Sequence, residues 1–184
     1  MSTTDLTSPD LTWLSHAIAG SDQPAELVML RADTERQTRS VLVKFPDGWR
    51  RDAVGHQPAG ETMVVLSGSL SISGLTAAVG DLLSVEPHAT RSATSVTDGT
   101  RAVVWFDGPG GGWVDGPAAD AGSLSVTPLS TDLGGVVTVH DDLAGATFDH
   151  GVDVVWTERQ QWAHVPAGEP VPSVDGRAVV RHWS

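Results

Sequence analysis

His56 and Glu61 have the side chains and the spacing that could hold a divalent metal ion. They stand in the stretch AVGHQPAGETMVVLSG, residues 53–68, where four residues separate His56 from Glu61 and six separate Glu61 from Gly68. Imidazole and carboxylate together are common ligands of Fe, Mn, Zn or Ni. Two residues before His56, where a strand would carry a second imidazole on the same face, stands Val54. The stretch therefore predicts a metal site that has lost one ligand.

Short β segments separated by Gly, Pro and Asp must position these residues. The spacing of the segments is typical of an all-β sandwich or barrel. Alternate residues of a strand share a face, so Glu61 is expected to point inward with Met63, and Val54 with His56. The predicted strands are LVMLR, SVLVKF, TMVVLS, SLSIS, LTAAV, DLLSV, RSATSV and RAVVWF, then LSVTPL, GVVTVH, VDVVWT, WAHVPA and RAVVRHW.

The N-terminal segment predicts one short helix. Ser, Pro and Asp at residues 8–10 are favourable at a helix start, and apolar side chains recur at helical spacing over residues 11–18. Gly20 can end such a helix. We expect a helix that ends near Ala19 and packs on a sheet.

Composition shifts divide the chain into four parts. They are a tail with the helix at 1–20, a main lobe at 21–108, a Gly- and Pro-rich linker at 109–123 and a smaller β lobe at 124–184. The near repeat of DGTRAVVWF from Asp98 and DGRAVVRHW from Asp175 indicates a duplication.

Composition also narrows the function. The 184-residue chain has 23 acidic and 11 basic residues, a net charge of −12, and this excess disfavours nucleic acid as a partner. Without cysteine, neither disulfides nor thiolate chemistry is available. No apolar run reaches the roughly 20 residues that a bilayer requires, and the N-terminus lacks a secretory pattern. We expect a cytoplasmic bacterial protein without membrane contact.

The main lobe resembles the cupin superfamily, whose first motif is Gly, His-any-His, three or four residues, Glu, six residues and Gly. Gly48, His56, Glu61 and Gly68 match it, and GDLLSVEPHATRS from Gly80 is similar to the second motif. The resemblance covers about residues 27–108. It implies a cupin-type jelly-roll β-barrel, followed by a reduced second copy in a compact bicupin. It also implies a divalent metal centre with dioxygenase or isomerase chemistry.

The last metal ligand has two candidates. Eleven residues after Gly80, at the usual family position, stands Arg91, which would replace an imidazole with a cation. A shorter turn would bring His88 there instead and complete a metal set of His56, Glu61 and His88. With Arg91 the guanidinium would neutralise Glu61 in a metal-free pocket.

Two functions follow from these alternatives. One is a small-molecule enzyme in which His56 and Glu61 are catalytic, with the metal or as an acid and base pair. The other is a metal-free module that binds or senses a small molecule without turnover. Val54, Met63, Arg91 and Trp105 are the further pocket candidates.

The remaining predictions concern the pocket mouth, the other histidines and assembly. Trp49, Arg50 and Arg51 either lie at the mouth, where the cations could attract an anionic substrate, or form a solvated strand end. Exposed strand edges favour a homodimer. We expect surface or structural roles for His140, His150, His164 and His182.

Overall fold

The computed structural model describes residues 2–130 and 133–183, and in these ranges it contains strands but no α-helix. The chain forms two compact units, one of Thr12–Pro128 and one of Met1–Leu11 with Leu129–Ser184. Within the described ranges, no helix with the length and apolarity to cross a membrane occurs. The all-β prediction is therefore confirmed.

A seven-stranded antiparallel sheet dominates the first unit. Its strands follow the order β14-β10-β7-β12-β4-β3-β2, so β12 and β4 lie near its middle and β2 and β14 at its edges. Each apolar segment predicted in this region forms one of its strands or a strand of the smaller sheet. The bounds are β2 (Leu14–His16), β3 (Ala25–Asp33), β4 (Thr38–Lys44), β7 (Gly60–Ser67), β10 (Asp81–Val85), β12 (Arg101–Asp107) and β14 (Leu124–Pro128).

Two smaller ladders complete the first unit. A four-stranded sheet has the order β5-β11-β8-β9, and a two-stranded ladder joins β6 to β13. β13 belongs to the Gly- and Pro-rich segment and pairs with β6, the strand of His56. Part of that segment is therefore a strand of the first unit. The bounds are β5 (Arg50–Arg51), β6 (Gly55–His56), β8 (Ser69–Ile72), β9 (Leu75–Ala78), β11 (Thr94–Val96) and β13 (Val114–Asp115).

The core of the first unit contains alternate side chains from both the seven-stranded and the four-stranded sheet. Met63 and Val65 of β7 share this cluster with Leu70 and Ile72 of β8. Burial of these apolar surfaces contributes about 25 cal/mol per Å². The inward direction predicted for the face of Met63 is the one observed.

Gly68 marks the corner at which the chain leaves the large sheet for the small one. Its φ is +68°, and a Cβ there would lie 2.3 Å from Thr100 Oγ1, so only glycine fits without rearrangement. Between the described strands the ladders stop at edges and do not close into a barrel. In place of the predicted jelly-roll β-barrel, the first unit therefore has two sheets around a common core.

The predicted N-terminal helix is wrong. Residues 8–10 form a turn, in which Leu11 N donates to Ser8 O at 3.4 Å and Asp10 N to Ser8 Oγ at 3.2 Å. β2 follows and pairs with the edge of β3. A Pro-Asp pair serves a turn as well as a helix start. The ladder to β3 then satisfies backbone groups that a short, isolated helix stabilises only marginally.

The second unit is built on one five-stranded sheet in the order β1-β17-β16-β18-β15. Its core includes Val152, Val154 and Trp156 of β16 with Val180 of β18. The bounds are β1 (Thr4–Asp5), β15 (Val137–His140), β16 (Gly151–Trp156), β17 (Gln161–Val165) and β18 (Ala178–Trp183).

Candidate functional site

A cavity of about 700 Å³ lies in the first unit, a volume within the range of pockets that hold drug-sized ligands. Aliphatic and aromatic side chains form most of its wall. The charged side chains that line it are Arg39, Arg51 and Glu61, and the other polar side chains are Ser15, His16, Gln57 and Thr94. The apolar lining includes Leu27, Met29, Val41, Phe45, Trp49, Met63, Ile72 and Phe106.

Glu61 enters this cavity from the start of β7. Its side chain is 11% exposed, and its Oε1 accepts hydrogen bonds from Gln57 Nε2 at 2.7 Å and from Arg91 Nη2 at 2.8 Å. A carboxylate in an apolar wall is stable only when it is paired. The guanidinium and the amide provide this pairing from the chain itself.

Arg91 is held rigidly beside Glu61. Its side chain is 1% exposed, Nη1 donates to Ala89 O at 3.0 Å and Nη2 also lies 3.4 Å from Ala59 O. Its backbone pairs in both directions with Gly55, through bonds of 2.8 and 3.1 Å. The position expected for the last metal ligand thus holds a fixed, buried cation.

His56 and His88 lie together, but not in the cavity wall. Their ring centroids are 5.7 Å apart. His88 is exposed on a turn with φ of 60°, and its N donates to Gln57 O at 2.9 Å. His56 is partly buried, and its Nδ1 has no hydrogen-bond partner in the described part of the chain. Neither ring is among the groups that line the cavity.

The donor set does not fit a divalent metal ion. Among residues 2–130 and 133–183, no group of three or more His, Asp or Glu is arranged to hold one. The guanidinium of Arg91 already donates to Glu61 Oε1, so a metal ion bound to this carboxylate would lie beside a fixed positive charge. Arg39 and Arg51 add positive charge nearby, and both interact electrostatically with Glu61. A cation placed among these three guanidinium groups would be repelled.

Arg51 is a buried cation in the cavity wall. It is 7% exposed, its Nη2 lies 3.3 Å from Thr94 Oγ1, and its Cζ lies 4.6 Å from the centre of the Trp113 ring. Burial is the main cause that lowers the pKa of Arg51 to about 10, with Glu61 opposing the shift and Arg91 adding to it. Arg51 therefore stays protonated at neutral pH.

Arg39 is the second cation in the wall. Its Cζ lies 4.1 Å from the centre of the Phe106 ring, and its Nη1 donates to Gly108 O at 3.3 Å. Burial lowers the pKa of Arg39 and the charge of Glu61 partly offsets this effect. Stacking on an aromatic ring holds the guanidinium plane in one orientation.

The pocket candidates from the sequence fall in different places. Met63 lines the cavity as expected, whereas Val54 is 43% exposed and lies outside it. Trp105 is 1% exposed, but its neighbours Val104 and Phe106 are the residues of β12 that line the cavity. Because side chains alternate along a strand, Trp105 belongs to the opposite face.

Sequence reasoning missed Arg39 and Gln57. Arg39 stands in β4 three residues after the positively charged Arg36 and carries no motif. The signal was strand parity, because Val41 and Val43 of the same strand point into the core and Arg39 shares their face. An arginine on the inward face of a strand therefore indicates a polar group in the cavity.

No protein-family model matches the chain, and no curated protein matches it. The chain does match solved structures. A proposed dioxygenase from Nostoc punctiforme superposes with a TM-score of 0.74 at 11% identity, over 98% of this chain and 81% of that one. The E. coli protein Ylba has a TM-score of 0.52 at 13% identity, over 98% of this chain and 85% of the other.

The chain shares the fold of these two structures, and this is the cupin-like all-β fold that its sequence motifs predicted. At such low identity the likeness shows the fold alone. The activity therefore has to be argued from the cavity itself.

Proposed function

We propose that the first unit is a metal-independent module that binds a small molecule in its cavity. The observation that carries this proposal is the ion pair between Glu61 and Arg91, with Nη2 and Oε1 2.8 Å apart. In this pair the chain supplies its own counter-charge where a cupin metal centre would supply an ion. The cavity remains large and apolar, which suits binding driven by burial of an apolar ligand.

Metal-dependent dioxygenase chemistry would require ligands that these positions do not provide. Of the predicted set of His56, Glu61 and His88, only Glu61 lines the cavity, and His88 is exposed on its turn. The Arg91 side chain cannot act as a ligand, since a guanidinium has no free lone pair at neutral pH. The metal-free alternative is therefore the better supported one.

The first experiment measures metal content and ligand binding in the same sample. Protein purified without chelator is analysed by inductively coupled plasma mass spectrometry and titrated with the neutral fluorophore N-phenyl-1-naphthylamine. We expect no stoichiometric transition metal, and saturable binding that EDTA leaves unchanged. Stoichiometric metal that is lost in His56→Ala would overturn the proposal.

A cavity-filling variant tests where the fluorophore binds. Leu27→Trp adds volume to a side chain in the wall, and we expect it to abolish binding while the protein stays folded. Val79→Trp, at a site that is 59% exposed, is the matched control and should bind like the wild type. Equal binding by both variants would place the ligand elsewhere.

A second candidate is a metal-free, isomerase-like enzyme in which Glu61 acts as the base. It is favoured by one observation, that the Glu61 carboxylate itself lines the cavity. A panel of small carbon acids incubated in D₂O tests this activity by NMR. Deuterium incorporation that is lost in Glu61→Gln, with binding retained, would support turnover; equal exchange rates in both proteins would refute it.

The predicted homodimer remains a prediction. β2 is an edge strand of the seven-stranded sheet, and its Leu14 is 54% exposed. Sedimentation velocity of the wild type and of Leu14→Lys would test pairing through this edge. A monomer at all concentrations would refute it.

A further inference from the structure

The charges of the cavity wall do not balance. Two guanidinium groups, Arg39 and Arg51, face one carboxylate, Glu61, and that carboxylate already pairs with a third guanidinium, Arg91. Among the described residues, neither Arg39 nor Arg51 forms an ion pair with an acidic side chain. The cavity therefore carries an excess of positive charge that the protein itself leaves uncompensated.

Arg51 is the stronger anchor of the two. It is 7% exposed, and its Nε has no hydrogen-bond partner within residues 2–130 and 133–183. A buried guanidinium without a carboxylate is unfavourable unless another anion approaches it. The ring of Trp113 and the hydroxyl of Thr94 hold the group in place without neutralising it.

The rest of the wall determines the body of the ligand. Leu27, Val41, Phe45, Trp49 and Phe106 line the cavity with aliphatic and aromatic surface. Sugars and nucleotides, which need many polar partners, would leave their hydroxyl groups unsatisfied against these side chains. A molecule with one charged end and an apolar body would satisfy both parts of the wall.

The net charge of the protein does not account for this local excess. The chain carries −12, so its overall field repels anions. Positive groups that line one cavity act most strongly on a ligand that has already entered it, because solvent and salt screen them less there. This placement favours recognition of an anionic group over general attraction of anions.

We propose that the cavity binds an organic monocarboxylic acid with an apolar body, whose carboxylate lies against Arg39 and Arg51. This inference rests on the proposed function, because it names the ligand class of the same cavity. Arg51 and Arg39 then provide charge-assisted hydrogen bonds from a mostly apolar wall. Glu61 stays paired with Arg91 and repels a second negative group, so dicarboxylates are disfavoured.

A competition experiment with matched ligands tests the charge. N-phenyl-1-naphthylamine is displaced by decanoate, by decanol and by decylamine, three probes with the same chain length. We expect decanoate to bind at least about tenfold more tightly than decanol, and decylamine most weakly. Decanol binding as tightly as decanoate would overturn the carboxylate inference and leave the proposed function intact. Failure of the fluorophore and of all three probes to bind would overturn both.

Variants then test the residues. In Arg51→Met, a replacement of similar length that buried sites often tolerate, the preference for decanoate over decanol should fall to about twofold or less. Arg39→Met should reduce the preference in the same direction. Arg50→Met is the matched control, because Arg50 is the exposed neighbour paired with Asp52 at 3.4 Å. A preference that survives in Arg51→Met, with near-ultraviolet circular dichroism unchanged, would place the carboxylate elsewhere.

Discussion

Arg91 Nη2 lies 2.8 Å from Glu61 Oε1, and the two side chains are only 1% and 11% exposed. In the cupin pattern the two positions would both bind a metal ion. In this chain the Arg91 guanidinium is the counter-charge of the Glu61 carboxylate, in the place where the pattern would have a metal ion. A buried pair of this kind stabilises mainly by avoiding an unpaired charge, and this defines the first test.

Removal of Arg91 alone should destabilise the protein strongly. Arg91→Met leaves the Glu61 carboxylate with the Gln57 amide as its remaining described hydrogen-bond donor, and we expect the free energy of unfolding to fall by about 3–5 kcal/mol. Urea denaturation of the wild type, Arg91→Met, Glu61→Gln and the double variant measures the coupling. The double variant should recover much of the loss; a loss below about 1 kcal/mol in Arg91→Met would contradict the buried ion pair.

Strand parity was predictable from the sequence, whereas the end of one turn was not. The face of Glu61 and Met63 followed from alternation along β7. The choice between His88 and Arg91 depended on the turn after β10, where His88 takes a φ of 60°. Sequence spacing favoured Arg91 and ligand chemistry favoured His88, so the two alternatives stayed open.

The N-terminus shows the opposite limit. Helical spacing over residues 11–18 was present, but the edge of β3 was available to accept a strand, and β2 formed there. Local patterns predict a helix correctly only when no ladder competes for the same backbone groups. The edge of β3 that pairs with β2 is formed by tertiary structure, which local sequence patterns do not predict.

Restoring the missing histidine should not restore a metal site. Val54 is 43% exposed and lies outside the cavity, and Arg91 would remain on Glu61. We expect Val54→His to bind Ni(II) no more tightly than Val79→His, a control at a valine that is 59% exposed. Isothermal titration calorimetry measures both. Stoichiometric, tight Ni(II) binding by Val54→His alone would show that the ligand geometry persists.

Gly55 should prove intolerant of a side chain. A Cβ at this position would lie 2.2 Å from Trp113 Cζ2, and Trp113 in turn covers Arg51. Gly55→Ala should lower the free energy of unfolding by about 1–3 kcal/mol through overpacking and weaken binding of decanoate. The control for stability is Gly110→Ala, where the nearest atom to the added methyl would be Arg39 Cζ at 3.6 Å. Equal stability of both variants in urea would mean that Trp113 moves freely.

A hydrogen-bonded chain of histidines in the second unit predicts how stability depends on pH. His150 Nε2 lies 2.8 Å from His182 Nδ1, and the Thr138 hydroxyl lies 2.9 Å from both His182 Nε2 and His140 Nε2. The sequence predicted separate surface or structural roles for these histidines. Spacing could not group them, because it is strand register that brings His182 beside residues more than thirty positions earlier in the chain. At the other end of this hydrogen-bonded series, Asp149 Oδ1 is the hydrogen-bond partner of His150 Nδ1.

Of these hydrogen-bonded histidines, His182 is the one whose lowered pKa makes stability depend on pH. Burial is the main cause that lowers the pKa of His182 below 6.5, and the charges of His150, His140 and Arg181 add to it. Between the folded and the unfolded pKa, the unfolded chain binds more protons, so stability should fall as pH drops through and below 6.5. Below the folded pKa the loss is complete and the dependence on pH from this group ends.

Thermal or urea unfolding between pH 7.5 and pH 5, at steps of about half a unit, measures this dependence. His182→Gln removes the titrating group, and we expect it to reduce the decrease in stability over that range. His16→Gln, at an exposed histidine of the first unit, is the control and should keep the slope of the wild type. A slope that is the same in His182→Gln as in the wild type would mean that another group, and not the partly buried imidazole of His182, takes up the proton on unfolding.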